Sequence, residues 1–158
     1  MASDLTRGAY SGRETFLYYN SATNASPTLV EIVRAFNVQV TNGPALSEIQ
    51  FHGAQATANI PGYDQFSGSF EYVRRRGTDT VYAALETHRK NRTTVELQYM
   101  NDDVATSGAT GWKAPVLLGE FSETSNGGDG VVVTIPFAKA DAFDAGGDAV
   151  DVSYPTTA

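Results

Sequence analysis

Pro61-Gly62-Tyr63-Asp64-Gln65-Phe66-Ser67-Gly68-Ser69-Phe70-Glu71-Tyr72 is a turn feeding a strand. After the turn, Phe66, Gly68, Phe70 and Tyr72 alternate with Ser67, Ser69 and Glu71, so one face is apolar and the other small or polar. That period of two is the signature of a half-buried strand. The segment runs on through Val73 and Arg74-Arg75-Arg76-Gly77 into a helix predicted over Asp79 to Lys90. Thr78 or Asp79 supplies the N-cap, Val81 and Leu85 with Ala84 or His88 form the apolar stripe, and Arg89 and Lys90 sit near the C-terminal dipole.

On either side of this unit the pattern is mostly strand. Thr15 to Tyr19 is a short aromatic strand, Asn20 to Pro27 a loop by composition, and Thr28 to Val33 a second strand. Phe36 to Thr41 alternates strictly, and Asn42-Gly43-Pro44 is expected to end it; Glu48 to Gly53 alternates again. Beyond the helix, Thr94 to Tyr99 places Val95, Leu97 and Tyr99 on one face. Asn101 to Trp112 reads as a polar loop, and Val116 to Phe121 and Val131 to Phe137 as strands. One greasy and one wet side per strand is the mark of antiparallel sheets with a solvated face. Gly127-Gly128-Asp129 and Gly146-Gly147-Asp148 each read as a tight turn entering a strand, which is shared turn chemistry and not duplication.

The chain's 158 residues suit one domain with a single core. With 41% hydrophobic and 18% charged residues it is globular, and no apolar run approaches the ~20 residues of a membrane span. The first residues lack the basic start and apolar stretch of a signal peptide. Without cysteine there is no disulfide, thiolate metal site or cysteine nucleophile. The net charge of −7 is uneven. Glu71 to Arg92 carries net +3, through Arg74, Arg75, Arg76, Arg89, Lys90 and Arg92, whereas Glu120 to the end carries net −6 with Lys139 its one base. Opposed patches of this kind are either two solvated faces or the two sides of a subunit contact.

Sites for chemistry are scarce. His52 and His88 are the two histidines, and no metal-ligand spacing surrounds them. Ser69 and Glu71 are i, i+2 neighbours on one strand face with no base at hand, so nucleophilic catalysis is not expected. Asp102-Asp103 lacks the spacing of a calcium loop and reads as an Asx-type turn. The Arg74-Arg75-Arg76 triplet lacks the extended basic stripe of a nucleic-acid binder.

The strand from Phe36, the polar stretch to His52-Gly53, the Ile60-Pro61-Gly62-Tyr63 turn, Phe66-Ser67-Gly68-Ser69-Phe70, the Asp79-to-Lys90 helix with Val81-Tyr82-Ala83-Ala84-Leu85, and the strand Val131 to Phe137 resemble, in pattern and order, the major tail tube proteins of long-tailed, non-contractile bacteriophages. The resemblance covers roughly residues 30 to 153; the arginine triplet falls outside the family pattern. It implies a mainly β subunit with one α-helix, an antiparallel β-sandwich or β-barrel, in a single domain spanning 1–158. It implies rings, usually hexameric, stacked into a tube within the virion tail, with tape measure and tail terminator proteins as partners. DNA would pass through the lumen without specific binding. An N-terminal arm (about 1–14), a projecting loop (about 41–64) and a C-terminal extension (about 139–158) are the expected contact elements. No cofactor, metal or enzymatic activity is expected.

On this basis Ser67, Ser69, Glu71, Thr94, Glu96 and Gln98 are the lumen-lining candidates. A phosphate backbone slides past a surface that carries no Lys or Arg to hold it. Arg74, Arg75 and Arg76 are expected to meet Asp141, Asp144 and Asp148 between subunits. The rival readings are a monomeric β-sandwich binding module for carbohydrate or protein using Tyr18, Tyr19, Tyr63 or Trp112, the tube of an injection system, and a small hydrolase using Asp102 and Asp103.

Overall fold

The computed structural model describes residues 16–21, 28–50, 57–75, 77–126, 130–143 and 149–158. The expected N-terminal arm, His52, Arg76, Asp144, Asp148 and the two Gly-Gly-Asp turns lie outside the described residues. Ten strands and one helix follow in order: β1 (Phe16–Asn20), β2 (Leu29–Glu31), β3 (Ala35–Gln50), β4 (Thr57–Val73), α1 (Thr80–Asn91), β5 (Val95–Met100), β6 (Gly111–Leu118), β7 (Ser122–Asn126), β8 (Gly130–Lys139), β9 (Ala142–Phe143) and β10 (Ala149–Val150). Seven of them form one antiparallel path, β2-β1-β5-β6-β8-β4-β3, with β7 paired to β8 and β9 to β10. The expected architecture of mostly antiparallel sheet with one helix is what the chain adopts.

The apolar rows of these strands meet in one core. Leu17 and Tyr19 of β1, Phe66, Phe70 and Tyr72 of β4, Val95 and Leu97 of β5, Ala114 and Val116 of β6, and Val133, Ile135 and Phe137 of β8 form a single cluster that Tyr82 and Leu85 of α1 complete. A sheet whose distant strands share a core with a helix is curled over it. The helix cap is Asp79; its buried residues are Tyr82 and Leu85, and Val81 and Ala84 of the expected stripe pack half-buried against the same core.

Gly68 explains the Ser-Gly-Ser spacing of the opening stretch. A β-carbon there would lie 2.1 Å from the Gln39 carbonyl oxygen and 2.7 Å from Cζ of Phe137. The central strand packs this tightly only with glycine at that position.

Two expectations need correction. Asn42-Gly43-Pro44 does not end a strand, and the described parts of the expected 41–64 loop, 41–50 and 57–64, are strand: β3 runs through to Gln50 and pairs with β4 as far as Gln50↔Thr57. The turn residues are absorbed as a register shift between Pro44 and Leu46, with Gly43 at φ 152°. Proline is tolerated because β3 ends the strand order among the described residues, where one side of the ladder has no described partner. Secondly, Asn101 to Trp112 gives way to β6 from Gly111, and Ser122–Asn126 adds a strand that sequence alternation did not mark.

The C-terminal chain continues β8 along β6 after a detour. Leu118, Leu117 and Val116 pair with Phe137, Ala138 and Lys139, and the Ala140 N–H donates to the Pro115 carbonyl at 2.9 Å. The chain then departs through β9 and β10 and returns beside β6. There Ser153 and Lys113 exchange two main-chain hydrogen bonds of 2.8 Å, and Thr156 bridges Thr110.

Candidate functional site

Cross-strand register places the polar rows on the outer face of the sheet, away from the core. Glu71 lies between Phe36 and Thr134, Ser69 between Gln39 and Pro136, and Ser67 between Thr41 and Ala138. Ser67 is exposed and Ser69 and Glu71 are half-buried. Glu71 is the one charged residue among these three rows. Its position is fixed by a bulge in β3: between Phe36 and Gln39 the register shifts, and Asn37 adopts φ 51°, a left-handed conformation that asparagine tolerates better than most residues. From there the Asn37 amide nitrogen donates to Oε2 of Glu71 at 2.7 Å, and Gln39 Nε2 donates to Oδ1 of Asn37 at 3.4 Å.

The same face continues onto β5, where Glu96 lies opposite Pro115 and Gln98 opposite both Lys113 and Tyr18. Here the environment reverses. Glu96 and Gln98 are each only 8% exposed. Part of the reason is a second small core: Tyr18, Met100 and Ala109 are buried together, with Phe16, Leu29 and Val104 against them. The 101–110 segment folds over this end of the sheet. The Val104 N–H donates to the Tyr18 hydroxyl at 3.4 Å, and Gln98 Nε2 donates to the Met100 sulfur at 3.3 Å. Thr94 precedes β5 and is exposed. The six residues that alternation grouped as one wet surface are therefore split. Ser67, Ser69 and Glu71 share an accessible face, and Glu96 and Gln98 are covered by their own subunit.

Of the arginine triplet, Arg74 is engaged within the chain. Arg74 Nη1 contacts Oε1 of Glu123 at 3.0 Å, and its guanidinium lies 4.5 Å over the Tyr82 ring. The Tyr82 hydroxyl donates to the same carboxylate oxygen at 2.9 Å. Burial first, and then the Glu123 carboxylate, raise the Tyr82 hydroxyl to about 12. Asp79 is the centre of a parallel arrangement. It accepts from the Tyr82 N–H at 3.1 Å, the Arg75 N–H at 2.9 Å, and the Tyr72 hydroxyl at 2.8 and 2.9 Å. Burial pushes the Asp79 carboxyl up, but these donors outweigh it and hold it below its ordinary value. Arg75 and Asp141 are exposed.

The rival sites separate in the same way. Tyr18 and Tyr19 are buried, and Trp112 stacks on Tyr99 and packs against Phe66 and Phe137; Tyr63 alone stands out, at 92% exposure. Asp103 forms an Asx turn, its Oδ1 accepting from the Ala105 N–H at 2.9 Å, and Oδ1 of Asp102 accepts from the Asp103 N–H at 2.7 Å. His88 Nδ1 is 2.8 Å from the Thr93 hydroxyl, and burial lowers its basicity. Among the described residues no three His, Asp or Glu side chains converge as a metal site, and no helix is long and apolar enough to cross a membrane.

This fold is shared with solved structures. A subunit of the SPP1 tail tube superposes with a TM-score of 0.68 at 13% identity, over 94% of this chain and 80% of that one. The fold is that of tail tube proteins. A chain from the tail of a gene transfer agent particle, solved with C6 symmetry, shares the tail tube fold with a TM-score of 0.64 at 14% identity, covering 94% of this chain and all of that one. A chain of the sheath–tube complex of the PVC extracellular contractile injection system gives 0.60 at 8% identity, over 99% and 98% of the two chains. No protein-family model and no curated protein sequence matches the chain.

Proposed function

We propose that the chain is a structural subunit that assembles into stacked rings forming a phage tail tube. The observation that carries this reading is the tail tube fold combined with a free edge. β3 extends over 16 residues, ends the strand order of the sheet, and borders the open face of Ser67, Ser69 and Glu71. A long edge strand left unpaired in a soluble protein is a template for uncontrolled association, and ring closure between identical copies removes it. Joined around a ring, the open faces form the wall of a lumen. The rows from β3, β4 and β8 on that face carry Glu71 and no Lys or Arg, so this part of the face offers a polyanion no counterion-releasing contact, and the lysine of the neighbouring β6 row, Lys113, is half-buried opposite Gln98.

The finer reading is a hexameric ring in a virion tail, closed by a terminator and filled by a tape measure protein before DNA passes through it, with no catalytic role. Arg75 and Asp141 are the described residues available for a contact of opposite charge between subunits. A tube in an injection system is the second reading; its support is the near-complete coverage of the chain from the contractile injection complex.

Negative-stain electron microscopy of the concentrated, purified protein tests the proposal. Rings or tubes of uniform diameter are the expected result. A monodisperse monomer at every concentration overturns it.

A further inference from the structure

Among the described residues the β3–β4 ribbon beyond Asn42 and Phe66 pairs only with itself, because β8 joins β4 from Ser67 onwards. Leu46, Ile60 and Tyr63 lie exposed along it. The direction in which the ribbon leaves the rest of the sheet is set at its root, where the shared pairing with β8 ends. That root is built to bend. Gly43 has a positive φ and open space around it, Pro44 cannot donate a ladder hydrogen bond, and the register slips by one between Pro44 and Leu46.

We propose that residues 151–157 form a latch that sets the angle of this ribbon. The latch is anchored at its far end: the Thr157 N–H donates to the Ala109 carbonyl, and the Gly108 N–H to the Thr157 carbonyl, both at 2.9 Å, beyond the Ser153–Lys113 pair. Its near end grips the root. At the root itself the Asn42 amide nitrogen, immediately before Gly43, donates to the Tyr154 hydroxyl across 112 residues of sequence, and beside the root Lys139 Nζ, at the end of β8, lies 2.6 Å from Oδ1 of Asp151. Asn42, Asp64, Gln65, Lys139, Asp151 and Tyr154 line a polar cavity of about 190 Å³ between latch and root, which is room for water and for a change of angle. Tyr154 is itself exposed, so apolar burial contributes little to its seat. Hydrogen bonds and one ion pair hold the latch, with Val152 as its half-buried apolar contact to the core; contacts this few open locally without unfolding the core. The latch therefore couples the C-terminal segment to the orientation of the ribbon, and its release frees the ribbon to swing about Gly43.

The test uses the isolated full-length subunit, so its outcome is independent of whether tubes form. Native-state hydrogen exchange is followed in the parent, Tyr154→Phe and Lys139→Met, with a chain ending at Val150 as a further variant. Amides of Gly43, Ala45 and Leu46 are expected to exchange about threefold to tenfold faster in the variants, while Leu97 and Val116 in the core keep their protection. In parallel, paired spin labels at Tyr63→Cys and Thr87→Cys should report a broader distance distribution in Tyr154→Phe than in its absence. Unchanged exchange at Gly43 to Leu46 in both point variants overturns the latch. So does acceleration spread equally over Leu97 and Val116, since it would make residues 151–157 a general support of the barrel.

Discussion

On β4 and on β5 the same alternation of polar and apolar residues faces the same side of one sheet, and the two strands end in opposite environments. Ser67, Ser69 and Glu71 remain accessible, with Glu71 held by Asn37; Glu96 and Gln98 are buried beside a small second core that the 101–110 segment completes. Period-two patterning thus assigns a side chain to a face. What covers that face is decided by segments distant in sequence. On the proposed reading the β4 half faces the lumen of the tube, and the β5 half serves the subunit's own stability.

Substitutions that contrast the halves should rank accordingly. The largest effect belongs to Met100, fully buried in the covered half: Met100→Ala should lower unfolding free energy by about 2–5 kcal/mol in chemical denaturation. Next comes the pair of glutamates. Glu96→Lys forces a longer charged side chain under the cover and should cost about 2–3 kcal/mol, whereas Glu71→Lys should cost about 1 kcal/mol or less, chiefly the Asn37 contact. Equal losses at the two positions would erase the distinction. Glu71→Lys should instead act on the assembled particle, slowing DNA release from tubes of normal length; unimpaired release would remove Glu71 from the lumen.

Acid sharpens the contrast from the core side. The folded-state carboxyl of Asp79 is held below its ordinary value, so its contribution is present above the unfolded pKa and is lost as pH falls through the folded one. Thermal melts should show stability declining below about pH 4, the ordinary carboxylate range, and Asp79→Asn should flatten that decline. The smallest effect belongs to Ser69→Ala, expected to stay within about 0.5 kcal/mol.

Much of this was legible in the residues. The alternation from Phe66 to Tyr72, the helix with its Asp79 cap and the antiparallel class all follow from periodicity and capping chemistry. The continuation of β3 through Asn42-Gly43-Pro44 was not, because turn residues read locally as a stop unless the strand is known to lie at an edge. Nor was the burial of Glu96 and Gln98. Part of its cause is the approach of Val104 to Tyr18, 86 residues apart, for which the sequence carries no periodic signal. Ser122–Asn126 escaped notice because Ser-Glu-Thr-Ser-Asn has no apolar row; β8 imposes its strand character by pairing.

Helical reconstruction of assembled tubes by electron cryomicroscopy tests the central claim most directly. The account predicts Ser67, Ser69 and Glu71 lining the lumen, with Glu96 and Gln98 enclosed within each subunit. Density that places the β4 row on the outside of the tube, or Glu96 and Gln98 at its inner surface, would contradict it.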